Sequence, residues 1–114
     1  ADLTPSAGST IGAGQDDTPN LPVRFDLAQN YPNPFNPNTT IEFSVNQSAQ
    51  VQLSIYNVSG QRVTTLLDDY VEAGTTTLDW NGTTSSGTTA VSGIYFYGLS
   101  IDGNEQTKKM VLLR

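Results

Sequence analysis

Three carboxylates stand close together at Asp68, Asp69 and Glu72. They are the one cluster in the sequence with the residue types for general acid–base work or for an oxygen-ligated cation. Calcium loops space their oxygens regularly, as in Asp-x-Asp-x-Asp-Gly, and Asp68-Asp69-Tyr70-Val71-Glu72 lacks that order. A solvated acidic turn is the plainer reading. The chain has no His and no Cys, which removes Ser–His and Cys–His catalysis and the commonest metal ligands. No Gly-Lys-Ser/Thr phosphate loop occurs. The sequence implies no catalytic residue, no metal and no cofactor.

The bulk composition narrows the partners. Eleven acids against five bases give a formal charge of -6, so no basic surface exists to displace counterions from nucleic acid. An acidic surface disfavours anionic membranes, and no apolar run approaches the ~20 residues that would span a bilayer. Four Asn-x-Ser/Thr sequons, at Asn38, Asn46, Asn57 and Asn81, are what a chain rich in Ser, Thr and Asn contains by chance.

The elements that must position any functional residue are strands. Ile41, Phe43 and Val45 alternate with Glu42 and Ser44; Val51, Leu53 and Ile55 alternate with Gln50, Gln52 and Ser54. Such period-two patterns give each strand one core face. Val63 with Leu66-Leu67, then Thr76, Leu78 and Trp80, then Ile94 to Ile101 and Thr107 to Leu113, continue the series. Ser59-Gly60 and Asp102-Gly103 punctuate it as tight hairpins, the second as a type I′ turn. No segment carries a capped helical pattern. The expectation is an all-β, immunoglobulin-like antiparallel β-sandwich of about seven strands over residues 23–114. Residues 1–22, rich in Gly, Ser, Thr, Asp and Pro, read as a disordered N-terminal linker, either a tether to an upstream domain or a loose chain end. Ala1 in place of Met and the lack of a signal peptide suggest a piece cut from a longer protein; an exported parent would carry its signal peptide at its own N-terminus.

The least ordinary stretch runs from Asn30 to Thr40. Pro32, Pro34 and Pro37 remove backbone donors and fix φ, so a central strand is excluded and a rigid edge connection is expected. Asn side chains there can replace missing ladder bonds. Tyr31 and Phe35 are expected to clamp the segment to the sandwich. Trp80 reads as core, with a sugar-stacking surface as the sharper alternative. Ile94-Tyr95-Phe96-Tyr97 reads as a central strand, with an aromatic ligand platform as its alternative.

The motif Tyr31-Pro32-Asn33-Pro34-Phe35-Asn36-Pro37, followed by Thr39-Thr40-Ile41, resembles the opening of the type A C-terminal sorting domains of type IX secretion, the Por secretion tail family. Ser54 to Val63 with Gly60 resembles the family's middle hairpin, with Asn57 where the family often has Asp. Ala73-Gly74 to Gly82 with Trp80, Ser92-Gly93 to Tyr97 with Tyr95, and the ending Lys108 to Arg114 resemble later parts in the same order. Flagellar hook-capping proteins carry a related immunoglobulin-like domain.

The resemblance implies a non-catalytic sorting signal for an upstream cargo. The domain would be read in the periplasm by an outer-membrane export machine and then reach the cell surface or the medium. In some members a sortase-like surface peptidase removes it. The expected recognition residues are Lys108, Lys109 and Arg114, with Met110 and Leu112 holding the strand; the bland alternative is a closing core strand. A free terminal carboxylate could be read with that strand. An uncovered last strand could also pair with a neighbouring copy. The rival function is a cell-attachment or carbohydrate-binding module appended to a secreted hydrolase, favoured if Tyr95, Tyr97 and Trp80 form a solvent-facing row.

Overall fold

The structure is a computed structural model and describes residues 23–114. The expected linker over residues 1–22 lies outside the described residues. Among the described residues seven strands form and no helix. They are β1 (Phe25–Leu27), β2 (Thr39–Val45), β3 (Ala49–Tyr56), β4 (Arg62–Val71), β5 (Gly74–Trp80), β6 (Gly93–Ile101) and β7 (Asn104–Leu112).

Two antiparallel sheets face each other. One has the order β1-β2-β5 and the other β4-β3-β6-β7. The period-two patterns decide which side chains lie between them. Ile41, Phe43 and Val45 of β2 are buried, as are Val51, Leu53 and Ile55 of β3 and Tyr95, Tyr97, Leu99 and Ile101 of β6. Burial of this set supplies the main driving force, about 1.5–3 kcal/mol per large apolar side chain before ordering entropy is subtracted. β6 is central, paired with β3 on one side and β7 on the other. Its second face is covered only in part, with Phe96 half-buried and Ile94 exposed.

The turns follow their residue types. Asp102 and Gly103 have φ of 51° and 80°, the double left-handed turn expected between β6 and β7. Between β3 and β4, Gly60 takes φ 84°. Asn57 organises that turn: its Oδ1 accepts from the backbone N–H of Ser59 and of Gln61, and its N–H donates to the Gln61 carbonyl.

β1 is only three residues long and gains help from across the sandwich. The Gln106 side chain accepts from the Leu27 N–H and donates to the Phe25 carbonyl, binding β1 to β7. Two backbone groups that β1 turns away from β2 are thereby satisfied.

Candidate functional site

The residues singled out by sequence converge on one edge and one end of the sandwich. β7 lies at the edge of the four-stranded sheet, where an unpaired strand would present open N–H and C=O groups. The proline-rich segment covers part of that edge. Phe35 forms a parallel bridge with Leu112: its N–H donates to the Val111 carbonyl and its carbonyl accepts from the Leu113 N–H. Asn33 Oδ1 accepts from the Val111 N–H at 3.0 Å, and Gln29 Nε2 donates to the Lys109 carbonyl at 2.8 Å. The segment is thus a strap over the C-terminal half of β7. Over that half the last strand is not open to pair with a neighbouring copy. The reason is the bonding capacity of Gln29, Asn33 and Phe35, which replaces the donors the prolines lack.

The strap is anchored at both ends. Near its start, Tyr97 Oη accepts from the Asn30 N–H and donates to the Ala28 carbonyl, both at 2.7 Å. The Tyr97 ring is fully buried, and desolvation pushes its hydroxyl pKa up from 10 to about 12 against the opposing pull of the Asn30 hydrogen bond. The Asn30 amide in turn donates to Thr39 Oγ1 and to the Pro32 carbonyl. The peptide bonds preceding Pro32, Pro34 and Pro37 are all cis.

Further along, Phe35 enters the core. It packs against Trp80 with ring centroids 5.7 Å apart, and Trp80 meets Tyr95 edge-on at 5.6 Å. Trp80 Nε1 donates to the Thr83 carbonyl, which satisfies its one polar atom. The two aromatics of the strap behave differently. Phe35 clamps as expected, but Tyr31 is 80% exposed. Tyr31 uses its backbone, not its ring: its N–H and carbonyl pair with Thr40. The period-two alternation of a bridged residue turns the ring outward.

The residues proposed as an address divide into three groups. Met110 and Leu112 are fully buried on the inner face of β7. Lys108 shares that inner face at its half-buried margin, opposite Tyr97, whereas exposed Lys109 lies on the outer face opposite Phe96. The two lysines therefore do not form one patch. Arg114 is engaged within the chain: Nε donates to the Ala90 carbonyl, Nη2 to the Gly82 carbonyl, and its backbone N–H to Ser92 Oγ. A Cβ added at Gly82 would stand 2.6 Å from Arg114 Nη2, so this glycine admits the guanidinium. Nothing in the sequence spacing links Arg114 to a loop more than twenty residues earlier, and this latch was not anticipated.

Asn36 and Pro37 complete the turn from the strap into β2, Gly60 closes the β3–β4 hairpin, and Gly93 begins β6 opposite Leu112. Tyr95, Tyr97 and Trp80 all lie in the core, so they form no solvent-facing row. Asp68 and Asp69 pair with Gln52 and Val51 and so occupy opposite faces of β4. Among the described residues no three His, Cys, Asp or Glu side chains gather as a metal site.

No curated protein matches the chain. Among solved structures, dimeric latent PorU from Porphyromonas gingivalis superposes with a TM-score of 0.68 at 21% identity, covering 82% of this chain and 10% of that one. PorZ, a surface component of the type IX secretion system of the same organism, gives 0.51 at 21% identity, covering 81% and 11%. The alkylpurine DNA glycosylase AlkC of Pseudomonas fluorescens gives 0.52 at 13% identity, covering 79% and 30%. The chain thus spans about a tenth of the length of PorU and PorZ. At such identities these likenesses establish the sandwich and no more. The model of the FlgD Ig-like domain matches residues 35–105, more than half of the chain, from the buried Phe35 to the start of β7. The chain belongs to the FlgD Ig-like domain family.

Proposed function

We propose that this domain is a non-catalytic sorting module that directs an attached cargo through type IX secretion to the cell surface or medium. The observation that carries the reading is the joining of its two most distinctive sequences. The strap over Tyr31 to Pro37 and the closing Lys108 to Arg114 form one hydrogen-bonded unit at one edge of the sandwich. A receptor meeting that edge would find both together. The fold shared with PorU and PorZ, the second named as a type IX component, supports the same direction.

The expected partners are the outer-membrane export machinery, the cargo upstream and a sortase-like surface peptidase. Recognition falls to Lys108 and Lys109, whose ammonium groups have no hydrogen-bond or ion-pair partner among the described residues. Met110, Leu112 and the Arg114 latch hold the strand that displays them. Burial of Tyr95, Tyr97 and Trp80 leaves the glycan-binding alternative without its expected surface.

The test is a reporter fusion carrying this chain in a bacterium with type IX secretion. Intact fusion should reach the surface, and a Lys108→Ala/Lys109→Ala variant should accumulate folded in the periplasm. Deletion of Lys108–Arg114 removes core residues and serves only as the unfolded reference. Export of the double variant at the intact rate would end the assignment to the lysines. Periplasmic retention of the intact fusion would end the sorting reading.

A further inference from the structure

The outer face of the four-stranded sheet carries an ordered charge pattern. Cross-strand partners share a face, so pairing places Arg62, Tyr56, Phe96 and Lys109 in one row across all four strands. Two residues along each of β3, β6 and β7 comes a row of small side chains: Thr65, Ser54, Gly98 and Thr107. Two further on, Asp68, Gln52, Ser100 and Glu105 form a third row. Arg62, Lys109, Asp68 and Glu105 are all exposed, and Tyr56 and Phe96 are half-buried. The middle row is low and partly roofed, with Ser54 buried and Gly98 lying beneath the Glu105 carboxylate and the Tyr56 ring. A Cβ at Gly98 would meet Glu105 Oε2 at 2.6 Å and Tyr56 Cε2 at 3.5 Å. A cavity of about 380 Å³ opens there between Tyr56, Phe96, Glu105 and Thr107.

We propose that this face binds a second copy of the same chain. Turn one copy by half a revolution about an axis lying in the face along the Ser54–Gly98–Thr107 row. Each strand then lies over its own counterpart and the outer two rows exchange. By position Arg62 of one copy stands over Asp68 of the other and Lys109 over Glu105, whose carboxylate must swing off its seat above Gly98 to meet it, while Tyr56 and Phe96 stand over Gln52 and Ser100. The match repeats by symmetry, which is the requirement of an isologous interface. Exposed Tyr70, two residues past Asp68 on β4, comes toward exposed Val58 in the β3–β4 turn. Few arrangements of the chain's five basic residues would place two of them at both ends of one row with acids at both ends of its mirror row.

The size of the face sets the strength. Strands about 4.8 Å apart and rows about 6.7 Å apart give a flat area of about 400 Å² per copy. That is roughly half of the ~800 Å² per partner typical of stable complexes. The association is therefore reversible, concentration-dependent and weakened by salt.

Sedimentation of the full chain from micromolar to millimolar concentration tests the proposal. A monomer–dimer equilibrium is expected, shifted to monomer by high salt. Arg62→Asp/Lys109→Glu should weaken it about tenfold or more, and so should Asp68→Arg/Glu105→Lys. The second pair lowers the net negative charge, so non-specific repulsion would predict the opposite outcome. An equimolar mixture of the two double variants should recover association as a heterodimer. Melting curves confirm that these surface variants fold. A chain that stays monomeric to millimolar concentration overturns the proposal. So does dimerisation that is indifferent to both reversals, or a mixture that fails to recover.

Discussion

The β3–β4 turn and the strap over β7 are both irregular connections organised by Asn side chains, and they are held in opposite ways. In the turn every bond is local: Asn57 bonds Ser59, Gly60 and Gln61 and nothing farther along the chain. In the strap, Gln29, Asn30, Asn33 and Phe35 reach partners 67 to 80 residues away. A connection of the first kind can form as soon as its own residues are adjacent. One of the second kind forms only after both sheets exist, and its loss should be felt throughout the sandwich.

The largest effect should come from the one strap side chain that enters the core. Phe35→Ala removes the contact with Trp80 and opens a cavity beneath β7, costing about 3–5 kcal/mol. Trp80→Ala falls in the same range for the same reason. Denaturant unfolding should show both losses as a lower midpoint of one cooperative transition. A Phe35→Ala variant as stable as the parent would mean that the strap is an ornament on a self-sufficient sandwich.

Tyr97 comes next, since it ties the strap's start to β6. Tyr97→Phe keeps the ring and leaves the buried Asn30 N–H without its acceptor, at about 1–3 kcal/mol. The parent also carries a pH signature. The neutral hydroxyl is favoured in the folded state, so its stabilisation is complete below pH 10 and is lost as pH rises from 10 to about 12. The shift corresponds to roughly 2–3 kcal/mol over that window. Tyr97→Phe should flatten this part of the stability–pH curve. An unchanged slope would place the alkaline transition on other groups.

The same contrast explains what could be read from the residues alone. The alternation in β2, β3 and β6 was legible because burial on one face writes a period of two into the chain. The Asp102-Gly103 turn was legible because few residues adopt positive φ. The outward ring of Tyr31 was not, because a large aromatic has no local signal for which face it will occupy. β1 was not resolved as a separate strand either: three residues are too few for a period, and their order depends on β2 and the distant Gln106. The Arg114 latch was not legible either, because its carbonyl partners in the loop before β6 have no sequence signature. Among the address residues, only the buried pair Met110 and Leu112 follows from alternation.

The Arg114 latch should give a smaller effect than Tyr97, since Arg114 itself is exposed and its two side-chain bonds are only part-buried. Arg114→Ala is expected to cost about 1 kcal/mol, with Arg114→Lys recovering only part because a single ammonium cannot reproduce the two-directional fork. Hydrogen exchange should locate the change at the Ala90 N–H, which bonds the Gly82 carbonyl beside the guanidinium. Uniform acceleration of exchange would instead make Arg114 part of the global fold.

The smallest effect belongs to the turn, and it is the sharpest check on the comparison. Asn57→Ala removes one acceptor that serves the Ser59 and Gln61 N–H groups, both at the surface where water replaces it. The cost should be about 0.5–1 kcal/mol. Asn57→Asp keeps the accepting oxygen and loses only the exposed contact from Nδ2 to Gln61, so it should lie within about 0.5 kcal/mol of the parent. Because the turn closes locally, Asn57→Ala should slow folding more than it speeds unfolding if the β3–β4 hairpin belongs to the nucleus. Phe35→Ala, whose contacts need both sheets, should chiefly speed unfolding. Equal partition of the two losses between folding and unfolding rates would erase the distinction between a connection that guides the fold and one that locks it.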